Sequence, residues 1–196
     1  MKVHPLAGPM SLHLLEKLLH ILSVDQPLSQ DKLDFINDVR LALGVSGKDV
    51  DKLIEQRDYL RRRNFTTNLL ELLEEEQRYW VAQMIWRAIH ADHRVDQREY
   101  KYVETILQLI EHDPLRFQQL CQLDSQVPFP SIIELDQNLR KEIYRYIVEI
   151  MMIDDEYTEE EANFVRDVGE QLGYDAHERD KVCLLYTSPS PRDSLS

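Results

Sequence analysis

Two stretches of the chain share one register: AIHADHRVDQRE at residues 88–99 and MIDDEYTEEE at residues 152–161. When Asp92 is aligned with Asp154, and with Asp25 in an earlier copy, about 28 positions fall into register without a gap. In each copy, apolar residues stand seven, four and three positions before the aspartate, which is the spacing of one helix face. These residues are Leu18, Ile21 and Leu22, then Ile85, Ala88 and Ile89, then Ile147, Ile150 and Met151. The repeat therefore predicts a helix that ends near each aspartate.

A second helix is predicted to follow each aspartate. Four positions after it stands a residue type that caps helix N-termini: Ser29, Asp96 or Thr158. Glu99 and Glu161 complete a capping box in the later two copies, whereas the first copy has Lys32 there. Apolar pairs that we expect to face the core follow ten and eleven positions after the aspartate: Phe35 and Ile36, Tyr102 and Val103, Phe164 and Val165.

Each second helix is predicted to stop at the same point of the repeat. The stop is Leu43-Gly44, Ile110-Glu111 or Leu172-Gly173, and glycine suits the left-handed residue that ends a helix. Another cap follows two positions later, at Ser46, Asp113 or Asp175. Each copy is thus expected to contain helix, acidic loop, helix, stop and helix.

The predicted fold is an all-α bundle of three related helix–acidic loop–helix modules. We expect a single domain over residues 1–182, with repeat units at about 11–63, 67–123 and 132–182. The segment from Thr67 to Ala91 is apolar on more than one side and is predicted to be the central buried helix. With 43% apolar residues, 30% charged residues and 5 glycines among 196, the composition favours an ordered helical protein.

The charge balance restricts the partners. With 23 basic and 36 acidic residues, the net charge of −13 would repel a phosphate backbone, so we expect no nucleic-acid partner. No apolar run approaches the length of a membrane helix, which is about 18 residues, so no transmembrane segment is expected. The N-terminus lacks the apolar core of a signal peptide, and a cytoplasmic location is expected.

The end of the chain is unlike the rest. Residues 183–193, CLLYTSPSPRD, match the translation of a transposase sequencing adaptor. We therefore expect residues 183–196 to be an unstructured tail derived from an adaptor, with the native C-terminus replaced. Cys121 is then the one natural cysteine in this region, which favours a reducing compartment.

The two acidic segments, together with Leu172-Gly173, resemble the TerB-like family, which is named for tellurite resistance and also occurs beside J-domains in co-chaperones. The family pattern has an aspartate-glycine loop, a cap, a glutamate, an aromatic-aliphatic pair and a Leu-Gly. The chain departs from it where Gln26, His93 and Asp155 replace the loop glycine. The resemblance covers roughly residues 12–182 and implies a stress-response or scaffolding role.

The acidic loops are the candidate binding site. Carboxylate oxygens are the ligands that calcium or magnesium prefers, and the resemblance also suggests a role in divalent-ion or oxyanion stress. The candidate ligands are Asp92, Asp96, Glu99, Asp154, Asp155 and Glu161, with Asp25 as a degenerate third copy of the loop. An EF-hand is excluded because the twelfth loop position is Val103 or Val165 instead of glutamate. The alternative is that these residues only cap helices.

Other reactive residues have simpler interpretations. His90, His93 and His112 lack the fixed third ligand of a zinc site, so surface or packing roles are expected. Cys121 is expected to be a small buried apolar residue. Arg57 and Arg61–Arg63 form a basic cluster that either meets an anionic surface or balances the dipole at a helix end.

No phosphate-binding loop, nucleophile elbow or zinc-protease helix is present, so the sequence predicts no enzyme. The expected function is a TerB-like stress-response or scaffolding domain that binds a protein partner or a divalent cation through its acidic loops. Weak self-association is a further expectation, because the basic cluster of Arg57 and Arg61–Arg63 contrasts with the acidic residues concentrated in the third repeat. The alternative is the regulatory N-terminal part of a J-domain co-chaperone truncated at its C-terminus.

Overall fold

The computed structural model describes residues 8–23, 28–123, 134–153 and 158–187. All the regular structure in these residues is α-helical, which confirms the predicted fold class. The helices are α1 (Gly8–Leu22), α2 (Gln30–Leu43), α3 (Gly47–Leu72), α4 (Glu75–Ile89), α5 (Tyr100–Leu109), α6 (Pro114–Cys121), α7 (Gln137–Met151), α8 (Glu159–Gln171) and α9 (Ala176–Thr187). None of these helices combines the length and the apolar character needed to span a membrane.

The chain divides into two compact units, and each is described separately. The N-terminal unit lies within Met1–Asn64, and the C-terminal unit comprises Phe65–Ser188. The boundary falls between the first predicted repeat, 11–63, and the second, 67–123. The second and third predicted repeats share the C-terminal unit.

Helix α4 of the C-terminal unit has eight buried residues, as α7 does, and packs against α5, α6, α7 and α8. It is shorter than the predicted central helix over 67–91, because α3 ends at Leu72 and α4 begins at Glu75. Glu74 lies between them with extended backbone, and its N–H donates to the Gln77 side chain at 2.9 Å. The prediction of one continuous helix is therefore wrong. The new helix begins at three consecutive glutamates, whose negative charges are stabilised by the positive end of its dipole.

The N-terminal unit has a small core formed by Leu15, Leu19, Ile36 and Val50. Phe35, which is predicted to face the core, is 50% exposed on α2, and Ile21, which lies on the apolar face predicted for α1, is 70% exposed. The repeat places both residues correctly on helices. Their burial depends on partner helices that the alignment does not specify.

The three predicted stops share one backbone geometry. Gly44, Glu111 and Gly173 stand at equivalent positions and have φ values of 68°, 55° and 81°, in the left-handed region. The N–H of the next residue donates to a carbonyl five residues earlier: Val45 to Arg40 (2.9 Å), His112 to Leu107 (2.8 Å) and Tyr174 to Gly169 (2.9 Å). This is the hydrogen bond of a Schellman motif. The Leu-Gly stop is confirmed, even where glutamate replaces glycine.

The caps after these stops are also confirmed. Ser46 Oγ accepts from the Asp49 N–H at 3.2 Å, and Asp113 Oδ1 accepts from the Leu115 N–H at 2.9 Å. Asp175 Oδ1 accepts in the same way from the Glu178 N–H at 2.8 Å. At the other end of the last helix, α9 continues through Thr187, five residues into the stretch predicted to be unstructured. The sequence has no proline or glycine between Ala176 and Pro189 that would stop the helix earlier.

Candidate acidic-loop site

The loop between α4 and α5 carries three of the predicted site residues. Asp92 is half-buried, and its Oδ1 accepts the Arg94 N–H at 2.8 Å, which folds the chain into a local turn. His93, in the middle of that turn, has a φ of 61°. A non-glycine residue rarely adopts this left-handed conformation.

Asp96 forms a compact ion pair with its neighbour Arg98. Its Oδ1 accepts the Arg98 backbone N–H at 2.7 Å and Nε at 3.1 Å, and its Oδ2 accepts the guanidinium Nη2 at 3.1 Å. The hydrogen bonds and the positive charge of Arg98 hold the pKa of this carboxyl below its ordinary value. Both carboxylate oxygens of Asp96 are therefore already engaged by a cation of the same chain.

Glu99 and Glu161 are both buried, and each accepts the backbone N–H of the residue three positions earlier. Glu99 Oε2 accepts the Asp96 N–H at 2.7 Å, and Glu161 Oε2 accepts the Thr158 N–H at 2.8 Å. Thr158 completes the box by accepting the Glu161 N–H at 3.2 Å. The predicted box at α8 is thus confirmed. At α5 the predicted box is wrong: Glu99 is itself the residue before the helix, which begins at Tyr100, and its bond to Asp96 closes the preceding turn.

The predicted ligand set is only partly placed. Asp92, Asp96 and Glu99 lie in one loop, and Glu161 lies at the start of α8. Asp154, Asp155 and Asp25 fall outside the described residues. Within the described parts of the chain, no group of three or more His, Cys, Asp or Glu side chains is arranged to hold a metal ion. The cation site therefore stays a prediction.

The histidines of this region have local roles. His90 ends α4, and its Nδ1 lies 2.9 Å from the Trp86 carbonyl oxygen. Its ring also packs on the Trp86 indole, with 4.2 Å between the ring centroids. His93 and His112 are exposed and have left-handed backbone. These contacts and exposures favour the predicted packing and surface roles.

Two predictions about single features are wrong. Cys121 is exposed at the end of α6, whereas its amphipathic context predicted burial. The basic cluster of Arg57 and Arg61–Arg63 lies within α3, which continues to Leu72. The cluster therefore does not balance the dipole of a helix end.

Sequence reasoning missed a buried polar network in the C-terminal unit. The Tyr102 hydroxyl donates to Glu149 Oε1 at 3.0 Å, and the Thr105 and Tyr146 hydroxyl oxygens lie 3.0 Å apart. The Tyr146 ring stacks on Phe65, with 4.0 Å between the centroids. The pattern predicts Tyr102 as a core residue. The sequence signal for the network is its hydroxyl, because a buried tyrosine hydroxyl needs a hydrogen-bond partner. These contacts join the residues around α5 to α7.

Comparison of the chain with protein-family models, curated protein sequences and solved structures gives no match. The TerB-like resemblance therefore stays a prediction from the motifs of this chain.

Proposed function

We propose that this chain is a non-enzymatic scaffolding domain of TerB-like type that acts in a stress response by binding a ligand at its acidic loops. The binding surface includes the Asp92 loop, and the repeat predicts that the segment around Asp154, which lies outside the described residues, joins it. One observation carries the proposal: His93 adopts a φ of 61° at the position where the TerB-like pattern has glycine.

This backbone geometry is informative because it is unfavourable for histidine. A left-handed non-glycine residue costs on the order of 1–3 kcal/mol and persists only where the surrounding structure enforces it. Here the Asp92 side chain holds the turn through the Arg94 N–H. The loop thus has a left-handed residue where the family pattern has glycine, although the glycine itself is absent.

Between the two ligand classes, the geometry favours a protein partner over a divalent cation. Asp96 is paired with Arg98, and Glu99 and Glu161 each accept a backbone N–H. A calcium ion would have to displace these contacts to gain enough carboxylate ligands. A protein partner can contact the exposed parts of the loops without that loss.

The test compares a loop variant with a matched control. The loop variant is Asp92→Asn combined with Asp154→Asn, and the control is Asp167→Asn on the exposed face of α8. A partner recovered by crosslinking in native extract should be captured by the wild type and the control and lost with the loop variant. Equal capture by all three proteins would contradict binding through the loops.

The same three proteins also test whether the ligand of the loops is a cation or a protein. Thermal unfolding is followed at calcium concentrations up to about 1 mM, the range of weak extracellular sites. We expect no shift in Tm for any of the three proteins. A calcium-dependent rise in the wild type and the control that is absent from the loop variant would instead identify the loops as a cation site.

A further inference from the structure

The N-terminal unit contains a groove of about 150 Å³ between α1 and α3. Three leucines line it: Leu19, Leu53 and Leu60. Lys17 and Arg57 line it as well, together with His20, Gln56 and a single acid, Glu16. An apolar cavity of about this volume can hold a molecule the size of benzene. The groove therefore has room for one apolar side chain, with cationic groups beside it.

The charge of the chain is divided unequally between its units. Residues 1–64 contain 10 basic and 9 acidic residues, a net charge of +1, whereas residues 65–188 contain 12 basic and 26 acidic residues, a net charge of −14. Surfaces of opposite local charge attract each other over distances up to about the Debye length. An acidic, leucine-bearing surface is thus the natural complement of the groove.

The chain itself has such a surface in its C-terminal unit. Leu72, the last residue of α3, is 59% exposed. Four exposed glutamates surround it in sequence: Glu71, Glu74, Glu75 and Glu76. Glu75 pairs with Arg116, and among the described residues the other three glutamates form no ion pair. We call residues 71–76 the acidic knob.

We propose that this chain associates head to tail, with the acidic knob of one copy seated in the α1–α3 groove of the next. Leu72 contacts Leu53 and Leu60, which are at least partly exposed, and the flanking glutamates face Lys17 and Arg57. Because the two contacting surfaces are different, the interface is heterologous, and assemblies either close into rings or stay open with one free knob and one free groove. This inference uses neither acidic loop and does not depend on the proposed function.

The experiment is sedimentation velocity over a range of protein concentrations. The wild type should form dimers and larger species at about 0.1 M salt and dissociate at about 1 M, where the Debye length falls to about 3 Å. A knob variant, Leu72→Lys, and a groove variant, Lys17→Glu with Arg57→Glu, should each weaken self-association by at least about tenfold, which is about 1.4 kcal/mol. Each variant has a control with a similar exposed residue elsewhere: Leu115→Lys for the knob and Lys48→Glu for the groove. Both controls should associate as the wild type does.

Mixing the two variants gives the decisive result. The knob variant keeps an intact groove and the groove variant keeps an intact knob, so an equimolar mixture should form dimers and nothing larger. A monomeric wild type at low salt, a mixture that stays monomeric, or loss of association in the controls would each overturn the proposal. Arg57 Nε donates to Ser23 Oγ at 3.1 Å, so folding is checked by thermal unfolding, and Lys17→Glu alone serves if the double variant is unstable.

Discussion

The two units use one repeat in different ways. Twenty-seven buried apolar residues form the core of the C-terminal unit, whereas four form that of the N-terminal unit among the described residues. Ile21 and Ile150 stand at the same repeat position, yet Ile21 is 70% exposed and Ile150 is fully buried. Ile150 lies on α7, which packs against α4, α8 and α9. The comparison shows that the repeat encodes where helices end, and that packing partners decide which face is buried.

The largest effect that would test this difference is truncation at the shared position. Ile150→Ala should lower the free energy of unfolding by about 2–5 kcal/mol, because it removes buried methyl groups and leaves a cavity. Ile21→Ala removes the same groups from an exposed site and should change stability by no more than about 0.5 kcal/mol. Urea denaturation followed by circular dichroism measures both. Similar losses for the two variants would show that Ile21 is buried in solution.

A smaller effect should distinguish the helix stops within the repeat. Gly44→Ala places a side chain at a φ of 68° and should cost about 1 kcal/mol of stability. Glu111→Ala leaves the strain unchanged, because Glu111 already has a φ of 55°. The substitution at Glu111 should lose only the ion pair between Arg78 Nη1 and Glu111 Oε1, which are 2.9 Å apart. An exposed pair of this kind is expected to contribute under about 1 kcal/mol to the free energy of unfolding. Denaturation midpoints compare the two, and an equal or larger loss at Glu111 would contradict the equivalence of the stops.

The features that could be predicted from sequence are those encoded locally. Gly44 and Gly173 end helices, and Asp113 and Thr158 begin them, because each acts within a few residues of itself. The break at Glu74 was missed because a glutamate run is equally compatible with a helix interior.

The same limit applies to the site. The capping role of Glu161 follows from its spacing, whereas the hydrogen bond from Tyr102 to Glu149 joins residues 47 positions apart. The ion pair between Asp96 and Arg98 is local, but spacing does not show whether a side chain turns toward its neighbour or toward solvent. Contacts of this kind depend on tertiary packing and rotamers, which the pattern of residue types does not contain.

The smallest effect concerns the charge of the Asp92 loop. Arg98 lowers the pKa of Asp96 in the folded state. The pair therefore stabilises the fold at pH values above the unfolded-state carboxyl pKa of about 4, and this stabilisation is lost as the pH falls through the lowered pKa. Arg98→Ala should therefore raise the pKa of Asp96 toward its ordinary value and flatten the dependence of stability on pH in the acid range. NMR titration of the Asp96 carboxyl carbon measures the first effect, with Arg94→Ala as the matched control. If the pKa of Asp96 did not move in Arg98→Ala, the carboxylate would not be engaged by Arg98, and the main reason for favouring a protein partner over a cation at this loop would be lost.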